Sequence, residues 1–430
     1  MQPEPYDGLP SHRQPSPPPL QASVVVQPSW EEQLKGLTPR HIALCILDFF
    51  TPEILSRRKK HSGRLLHEQS KTAWLDGLRG WAALLVCVFH LTVWTHNGIE
   101  YCYGAALPSG GGASNTTPGA WPIIRTLWTG GHFSVAVFFT ISGYVLPRRM
   151  LNHLHAGRRG DFLDALHSSV VRRPFRLLLP VALSTLAVTV VSHLTGIRTS
   201  NVKRENSMFL QLVGWTRETL RYFYFFSGGY HAVNLQTWSL LVEMRGSLSL
   251  FVWLFSLSRM QHRARLFLTM ALIWYLAVAI PAAQMATFFA GMVTVELDLI
   301  SSGTVPISLP WDGLVQAVGR HGVVRALSLH TLLVGALYLG SSPSGSGPHT
   351  SREEVLGTCR GWVTLEWLIP EAYPHGGDDS AWQWFWLFWA AWIFILAAKE
   401  INWLKGALSG GFSQCQCSPN SSFLSPGLFN

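Results

Sequence analysis

Eight apolar segments constrain this chain more than any other feature, because each is close to the length that crosses a lipid bilayer. A membrane-spanning helix needs about 20 mostly apolar residues. Backbone polar groups inside the hydrocarbon must be satisfied within the protein, so helices are the default. The segments cover residues 73–96, 129–147, 174–195, 238–256, 266–280, 282–299, 323–340 and 382–398. The sequence therefore predicts an all-α fold, a polytopic transmembrane helix bundle of about eight spans.

Charge supports the membrane interpretation and assigns its sides. Only 13% of the residues are charged, against about 25% in soluble domains. The connection 148–173 holds six arginines, whereas 341–381 holds six acids and two arginines, and basic loops stay in the cytosol. The net charge of +9 is therefore assigned to cytosolic flanks, not to a surface for nucleic acid. We expect an integral, multi-pass protein of an endomembrane or the plasma membrane.

Composition divides the chain into four parts. Residues 1–30 contain eight prolines and few large apolar side chains, so 1–40 is predicted to be a disordered cytosolic tail. Residues 41–72 join a short apolar stretch to a basic run and are predicted to be an interfacial, basic cytosolic segment. The transmembrane domain is predicted over 73–410, and 411–430 follows as a tail that contains no span.

The first apolar segment, LDGLRGWAALLVCVFH, carries three polar groups that are costly in lipid. Arg79 and His90 are eleven residues apart, which places them on one helix face about 16–17 Å apart along the axis. Asp76 precedes Arg79 by one turn and can pair with it. Intramembrane ionisable groups mark function by default, although a snorkelling arginine and a packing histidine would give the same pattern. An arginine near the cytosolic surface would place His90 near the middle of the membrane.

Three further stretches carry polar or small residues beside or within predicted spans. The run RRPFR at 172–176 brings together arginines that suit a polyphosphate, but a basic helix flank would look the same. Ser142 and Gly143 are small residues of the kind that let helices pack closely. Glu243 and Arg245 lie inside the fourth segment, only two residues apart, so they do not face each other. We expect each of them to meet another helix.

Other expectations concern groups outside these stretches. Glu296 and Asp298 end the sixth segment and are expected at the membrane interface. Cys102 and Cys359 fall in external loops on this topology, where disulfides persist. Bridging needs Cα atoms about 4.4–6.8 Å apart, and nothing in the sequence sets their distance, so a disulfide and two unpaired thiols both remain open. Asn115 begins Asn-Thr-Thr in the first external loop, which is a glycosylation pattern.

Taken together and in this order, four motifs resemble the acyltransferase 3 family of integral membrane acyltransferases, especially its fungal members. They are LDGLRGWAALLVCVFH, GHFSVAVFFTISGYVL, RRPFRLLLP and WSLLVEMRGSLSLF. The resemblance covers about residues 73–300 and extends more loosely to 410. It implies an enzyme that moves an acyl group, often acetyl from acetyl-CoA, onto a hydroxyl of a sugar, glycan, lipid or secondary metabolite. Acyl-CoA would be a co-substrate, with no permanently bound cofactor, and the sequence shows no metal constellation.

The family's functional motifs fall on particular residues of this chain. They match Arg79 and His90, Arg173 and Arg176, Ser142, Gly143 and Tyr144, Trp238 and Glu243, and, as a fungal extension, Arg245 and Gly246. On this resemblance, the three arginines of the first two motifs hold the CoA phosphates at the cytosolic side. His90 would be the general base, since imidazole titrates near neutrality. Glu243 would orient or recharge His90, and Arg245 would neutralise neighbouring acids or the developing oxyanion.

The C-terminus departs from the family pattern of about ten spans. The last residues, 411–430, contain no span and suggest a truncated or frameshifted chain. A non-catalytic, acyltransferase-like membrane protein therefore stands as one alternative function. A transporter stands as another, because it too would place charges at mid-membrane, although we find neither internal repeats nor clearly broken helices.

Overall fold

The computed structural model describes residues 72–96, 100–105, 114–196, 204–226, 229–302, 309–343, 359, 361–373 and 381–410. Regular structure in these ranges is helical, as predicted. The helices are α1 (Ala73–Thr95), α2 (Thr126–Thr129), α3 (Gly131–His155), α4 (Arg159–Thr195), α5 (Met208–Phe223), α6 (Trp238–Ser256), α7 (His262–Trp274), α8 (Ala283–Ser301), α9 (Asp312–Arg320), α10 (Gly322–Gly340), α11 (Ala381–Ala398) and α12 (Asn402–Leu408). The predicted tails 1–40 and 411–430, and all of 41–72 except Thr72, lie outside the described residues.

All eight apolar segments form helices. Within the part of the chain that the structure describes, six helices are long and apolar enough to cross a membrane, namely α1, α4, α6, α8, α10 and α11. The other two predicted spans correspond to α3, which has 25 residues, and to α7, which continues into the π-helical turn Tyr275–Ala279. The chain is thus an integral, multi-pass membrane protein built as an all-α bundle.

The predicted connection 148–173 is mostly helical. Helix α3 continues to His155 and α4 begins at Arg159, so the connection shrinks to three residues. Hydropathy marks where a helix leaves lipid, but arginine and leucine are good helix formers, and the two helices therefore extend beyond their apolar parts. The six arginines of this region consequently lie on ordered helices or on the turn between them.

Helix α8 packs closely on α3 and α6 through glycines. A Cβ added to Gly143 would lie 2.0 Å from the carbonyl oxygen of Phe288, and one added to Gly246 would lie 2.3 Å from the Phe288 ring. A Cβ on Gly291 would come within 2.2 Å of the Thr140 carbonyl oxygen. Small residues let helix backbones approach in this way inside membranes. The packing interpretation of the Ser-Gly motif is therefore correct for Gly143.

The interfacial position expected for Glu296 is wrong. Its side chain is 1% exposed and accepts a hydrogen bond of 2.8 Å from Nε of Arg265, which is equally buried. The guanidinium also lies 3.3 Å from His155 and 3.0 Å from His262. His155, His262 and Glu296 have the residue types of a metal site and lie within 4.8 Å of one another. Since Arg265 contacts all three, its own positive charge neutralises the buried carboxylate.

The external loops are joined by a disulfide between Cys102 and Cys359, whose Cα atoms are 5.7 Å apart and 257 residues apart in sequence. Of the two possibilities left open by the sequence, the paired one is therefore present. Asn115 lies beside this bridge, is 3% exposed and donates its amide to the carbonyl of Tyr101 at 2.9 Å. The folded loop thus occupies the nitrogen that glycosylation would modify.

The disulfide should contribute strongly to stability, because it closes a long loop in the unfolded chain. We expect Cys102→Ser or Cys359→Ser to lower the free energy of unfolding by about 2–5 kcal/mol. Thermal unfolding in detergent, with and without dithiothreitol, measures this change. The reductant should lower the unfolding temperature of the unsubstituted chain but not that of either variant; an equal effect on all three would contradict the prediction.

The contact at Gly143 predicts a sharp contrast between two glycines in helix interiors. Gly143→Ala should destabilise the bundle by about 1–3 kcal/mol, since overpacking forces the backbone apart. Gly214→Ala is the matched control: no neighbour lies within 4 Å of its added Cβ, and the better helix propensity should stabilise α5 by up to about 1 kcal/mol. Equal unfolding temperatures for the two variants would rule out close packing at Gly143.

Candidate active site

A crossing of α1 and α3 brings two histidines together. A Cβ added to Gly131 would lie 2.3 Å from the Phe89 ring, so the two helices touch at these residues. The following residue on each helix is a histidine, and His90 and His132 are close enough to interact electrostatically. The Phe89 ring also meets His132 edge-on, with 5.1 Å between ring centroids. We call His90 and His132 the histidine pair.

Tryptophans form a wall beside the histidine pair. Trp384 of α11 meets His132 edge-on at 6.4 Å between centroids, and it meets Trp238 in the same way at 5.9 Å. It also stacks on Phe139, which lies about two turns after His132 on α3. Trp238, which is a predicted site residue, therefore contacts the same Trp384 ring that contacts His132.

Trp238 is positioned by the hairpin that precedes it. The hydroxyl of Thr237 accepts from the amide of His231 at 2.9 Å, and Tyr222 donates to the Thr237 carbonyl at 2.9 Å. His231 contacts the Thr219 hydroxyl at 3.2 Å, and burial lowers its pKa. A neutral His231 keeps Nδ1 as the acceptor for the amide of Val233. The start of α6 is thus held by hydrogen bonds on its external side.

Helix α1 places His90 in the half of its apolar stretch that leads towards Cys102. The apolar part of the helix runs over Ala73–Val93, so its midpoint is near residue 83. At 1.5 Å per residue, His90 lies about 10 Å beyond that midpoint and Arg79 about 6 Å before it. On this measure His90 lies nearer to the Thr95 end of α1 than to its midpoint.

A second polar layer surrounds Glu243. Its Oε1 accepts hydrogen bonds from the Ser142 hydroxyl at 2.9 Å and from the guanidinium of Arg173. Arg173 also donates to the Ser247 hydroxyl at 3.0 Å, and Ser247 donates to the carbonyl of Glu243 at 2.6 Å. The side chains of Arg173 and Glu243 are only 12% and 19% exposed. This network ties α3, α4 and α6 together, and we call it the arginine layer.

The other predicted phosphate-binding arginines are close to this layer. Arg79 and Arg176 are both near enough to Arg173 for their charges to interact. Arg79 pairs with Asp76 at 3.3 Å, as the sequence predicted, and keeps a third of its side chain exposed. Arg176 is exposed. The three guanidinium groups therefore form one positive region, in which carboxylates neutralise only part of the charge.

The two layers are separated along α1 and α3 by almost the same length. Arg79 lies ten residues before Phe89, and Ser142 lies eleven residues after Gly131, which corresponds to about 15–16 Å on each helix. Arg173 lies close to both Arg79 and Ser142. It binds the same Glu243 oxygen as Ser142, and its charge interacts with that of Arg79. The helices thus run side by side in opposite directions, with the histidine pair at one level and the arginine layer at the other.

Tyr144 belongs to a separate polar cluster. Its hydroxyl donates to Asp298 at 2.8 Å and accepts from Arg148 at 3.2 Å. The ammonium group of Lys399 also binds Asp298. Asp298 is thus half-buried and paired with a cation near the end of α8. The cluster joins α3 and α8 to the end of α11.

Arg245 differs from the other arginines of the site. It lies half-buried on α6, and its Nε atom is buried without a hydrogen-bond partner. The structure places no carboxylate of the described residues within ion-pair distance of it. A guanidinium in this state can accept a negatively charged ligand group at little rearrangement cost, whereas Arg173 already has Glu243.

His132 is the residue that sequence reasoning missed. It lies in the quoted GHFSV stretch, but one histidine at the start of an apolar segment does not separate catalysis from packing. Its neighbourhood with His90 depends on the register between α1 and α3, which the Gly131 contact sets. One signal in the sequence could have identified it. His132 directly follows a glycine at the start of a predicted span, and the first span also carries a histidine.

Comparisons with known proteins show what the chain is similar to. The model of the acyltransferase 3 family, described as an acyltransferase domain, matches residues 72–414. The O-acetyltransferase PaAT-1 of Phomopsis amygdali is 26% identical over 344 residues, which cover 72% of this chain and 63% of that protein. The chain therefore spans less than two thirds of the length of this relative. No solved structure matches the chain.

The arginine layer predicts measurable coupling between two charges. Breaking a buried ion pair costs about 3–5 kcal/mol, and the partial exposure of this pair should reduce the loss to about 1–3 kcal/mol for Glu243→Gln or Arg173→Met. The double variant should lose less than the sum of the two, with a coupling energy above about 1 kcal/mol.

The exposed pair Glu218–Arg221, with a 63% exposed arginine, is the matched control, and its coupling should stay below about 1 kcal/mol. Unfolding in detergent measures both cycles. Additive losses at Arg173 and Glu243 would show that the two charges do not act as a pair.

Proposed function

The chain belongs to the acyltransferase 3 family, and on that premise we propose that it is a membrane-embedded enzyme that moves an acyl group, most simply acetyl, from acyl-CoA to a hydroxyl. The observation that carries the proposal is the two-level arrangement on α1. Arg79 and His90 share one helix face, and about 16 Å separates them along the axis. Arg79 lies near other arginines, and His90 lies beside another histidine. One end suits phosphates and the other suits proton transfer.

The donor is expected to bind with its phosphates at the arginine layer. Guanidinium groups hold phosphate oxygens by paired hydrogen bonds, and Arg79, Arg173 and Arg176 supply three such groups. The pantetheine arm would then run along α1 towards the histidine pair. Arg245 is a further candidate for the phosphates or for charge along this path, because its guanidinium has no acidic partner among the described residues.

The chemical step needs one base. His90 removes the proton of the acceptor hydroxyl while that oxygen attacks the carbonyl carbon of the thioester. The carbonyl then re-forms, the carbon–sulfur bond breaks, and the leaving thiolate takes the proton from His90. The ester and free CoA are the products, so no other reactant is required. An imidazole suits this task because its pKa lies near neutral pH in water.

Glu243 is assigned a supporting role by its contacts. Its carboxylate binds Arg173 and Ser142, so we propose that it holds Arg173 in place for the donor. This differs from a role in orienting His90, which the sequence suggested. Glu243→Gln should therefore raise the KM for acetyl-CoA more than it lowers the rate of the chemical step.

The acceptor is proposed only as a class. The histidine pair lies towards the external end of α1, beside tryptophan rings, so a hydroxyl-bearing sugar, glycan, lipid or secondary metabolite could reach it from the external side or from the bilayer. The relative from Phomopsis amygdali is named as an O-acetyltransferase, which favours acetyl as the transferred group and oxygen as its acceptor.

One experiment separates this function from its alternatives. The full chain, in membranes of the cells that produce it, is mixed with acetyl-CoA labelled in the acetyl group. Label transfer to an acceptor, or hydrolysis with release of CoA, supports an enzyme. Binding without turnover supports a non-catalytic, acyltransferase-like protein. Absence of binding favours the transporter interpretation.

His90→Ala should abolish turnover while leaving donor binding almost unchanged. General-base catalysis typically contributes about 10²–10⁴-fold, so the rate should fall by at least about a hundredfold. Arg173→Ala and Arg176→Ala should instead weaken binding of acetyl-CoA, measured by titration of labelled CoA. If His90→Ala keeps more than about a tenth of the rate, this residue is not the general base.

A further inference from the structure

The histidine pair contains one imidazole that the proposed chemistry does not use. We propose that His132 is a second catalytic residue, whose neutral ring donates a hydrogen bond from Nε2 to the carbonyl oxygen of the thioester as negative charge develops there. This inference rests on the proposed function and adds to it the group that stabilises the oxyanion.

The surroundings of His132 argue against a purely structural histidine. Here Nδ1 is buried and has no hydrogen-bond partner among the described residues. The contacts that hold the ring are aromatic edges, from Phe89 at 5.1 Å and from Trp384 at 6.4 Å between centroids. The ring is thus held by aromatic contacts while its Nδ1 stays uncommitted.

The tautomer follows from the same contacts. Burying a bare N–H costs about 1–3 kcal/mol, and orphaned donors are rarer in proteins than under-used acceptors. The proton of the neutral ring is therefore favoured on Nε2, with the lone pair on the buried Nδ1. Nε2–H is then the donor that a ligand can meet.

Two features keep His132 neutral during the reaction. His132 is the second residue of α3, where the positive end of the helix dipole disfavours an imidazolium ion. His90 is its electrostatic neighbour and becomes positive when it removes the acceptor proton, and two adjacent imidazoles do not both hold an extra proton readily. A neutral imidazole cannot act as a second base here without competing with His90, but it can donate a hydrogen bond.

The two histidines then divide one step between them. As the hydroxyl oxygen bonds to the carbonyl carbon, its proton passes to His90 and the carbonyl electron pair moves to oxygen, where it accepts from His132. When the carbonyl re-forms, the carbon–sulfur bond breaks and the thiolate takes the proton from His90. His132 keeps its own proton throughout, so its part is electrostatic. Removing one such donor typically costs about 10²–10³-fold in kcat.

The test compares substitutions that keep or remove the donor. His132→Phe retains an aromatic ring against Phe89 and Trp384 but has no N–H. His132→Gln retains an N–H donor but cannot carry a proton as imidazole does. Release of CoA thiol from acetyl-CoA is followed in membranes that contain the full chain, and His90→Ala sets the background.

We expect His132→Phe to lower kcat by about 10²–10³-fold, with the KM for acetyl-CoA changed by less than about threefold. His132→Gln should keep the rate within about tenfold of the unsubstituted chain. The matched control is His193→Phe on α4, a half-buried histidine whose Nδ1 also lacks a partner; it should change the rate by less than about twofold.

Three outcomes overturn the inference. A His132→Phe variant with more than about a third of the normal kcat shows that the ring only packs. A His132→Gln variant as slow as His132→Phe shows that donation is not the role. An unsubstituted chain no faster than His90→Ala removes the proposed function itself, and with it the premise. Formation of the Cys102–Cys359 disulfide and the unfolding temperature report folding, and if Phe prevents folding, His132→Leu takes its place.

Discussion

Close contact of α3 with its neighbours is the constraint on which the rest of the structure depends. Lipid gives helices no hydrophobic reason to associate, so packing and polar contacts must hold the bundle together. Gly131 leaves room on α3 for the Phe89 ring of α1, and Gly143 lets α3 touch the backbone of α8 at Phe288. These two contacts lie at the two levels of the candidate site. The register that brings His132 beside His90 is therefore a consequence of glycine packing, and so is the approach of Ser142 to Glu243.

Several charged groups inside the bundle are paired across helices. Arg173 has Glu243, Arg265 has Glu296, and Asp298 has Lys399. Each of these pairs links two or three helices, and each removes a charge that lipid would penalise. Other buried atoms of the described residues have no hydrogen-bond partner, and Nε of Arg245 and Nδ1 of His132 are the two that lie at the candidate site. A folded membrane bundle tolerates such atoms best where a substrate completes them.

The sequence predicted those features that depend on the helical period and on hydropathy. The shared face of Arg79 and His90, the Asp76 contact, the eight helical segments and the membrane class all follow from local pattern. Contacts between helices did not follow. The partner of Glu243 is Arg173, 70 residues away, and the partner of Glu296 lies on α7. Neither pairing has a local signal, because it depends on where two helices cross and how far a guanidinium reaches. His132 was missed for the same reason.

The positions of the histidine pair and the arginine layer along α1 give the proposed reaction a direction across the membrane. The disulfide between Cys102 and Cys359 belongs to an oxidising compartment, so the end of α1 that leads to Cys102 faces that side. His90 is five residues from that end of α1, whereas Arg79 lies towards the other. A donor held by arginines from the cytosolic side would therefore deliver its acyl group in the external half of the span. The proton released there need not cross the membrane, because the thiolate formed at the same place takes it up from His90. On the proposed function, only the acyl group would move along α1, and the charged phosphates would stay at the arginine layer.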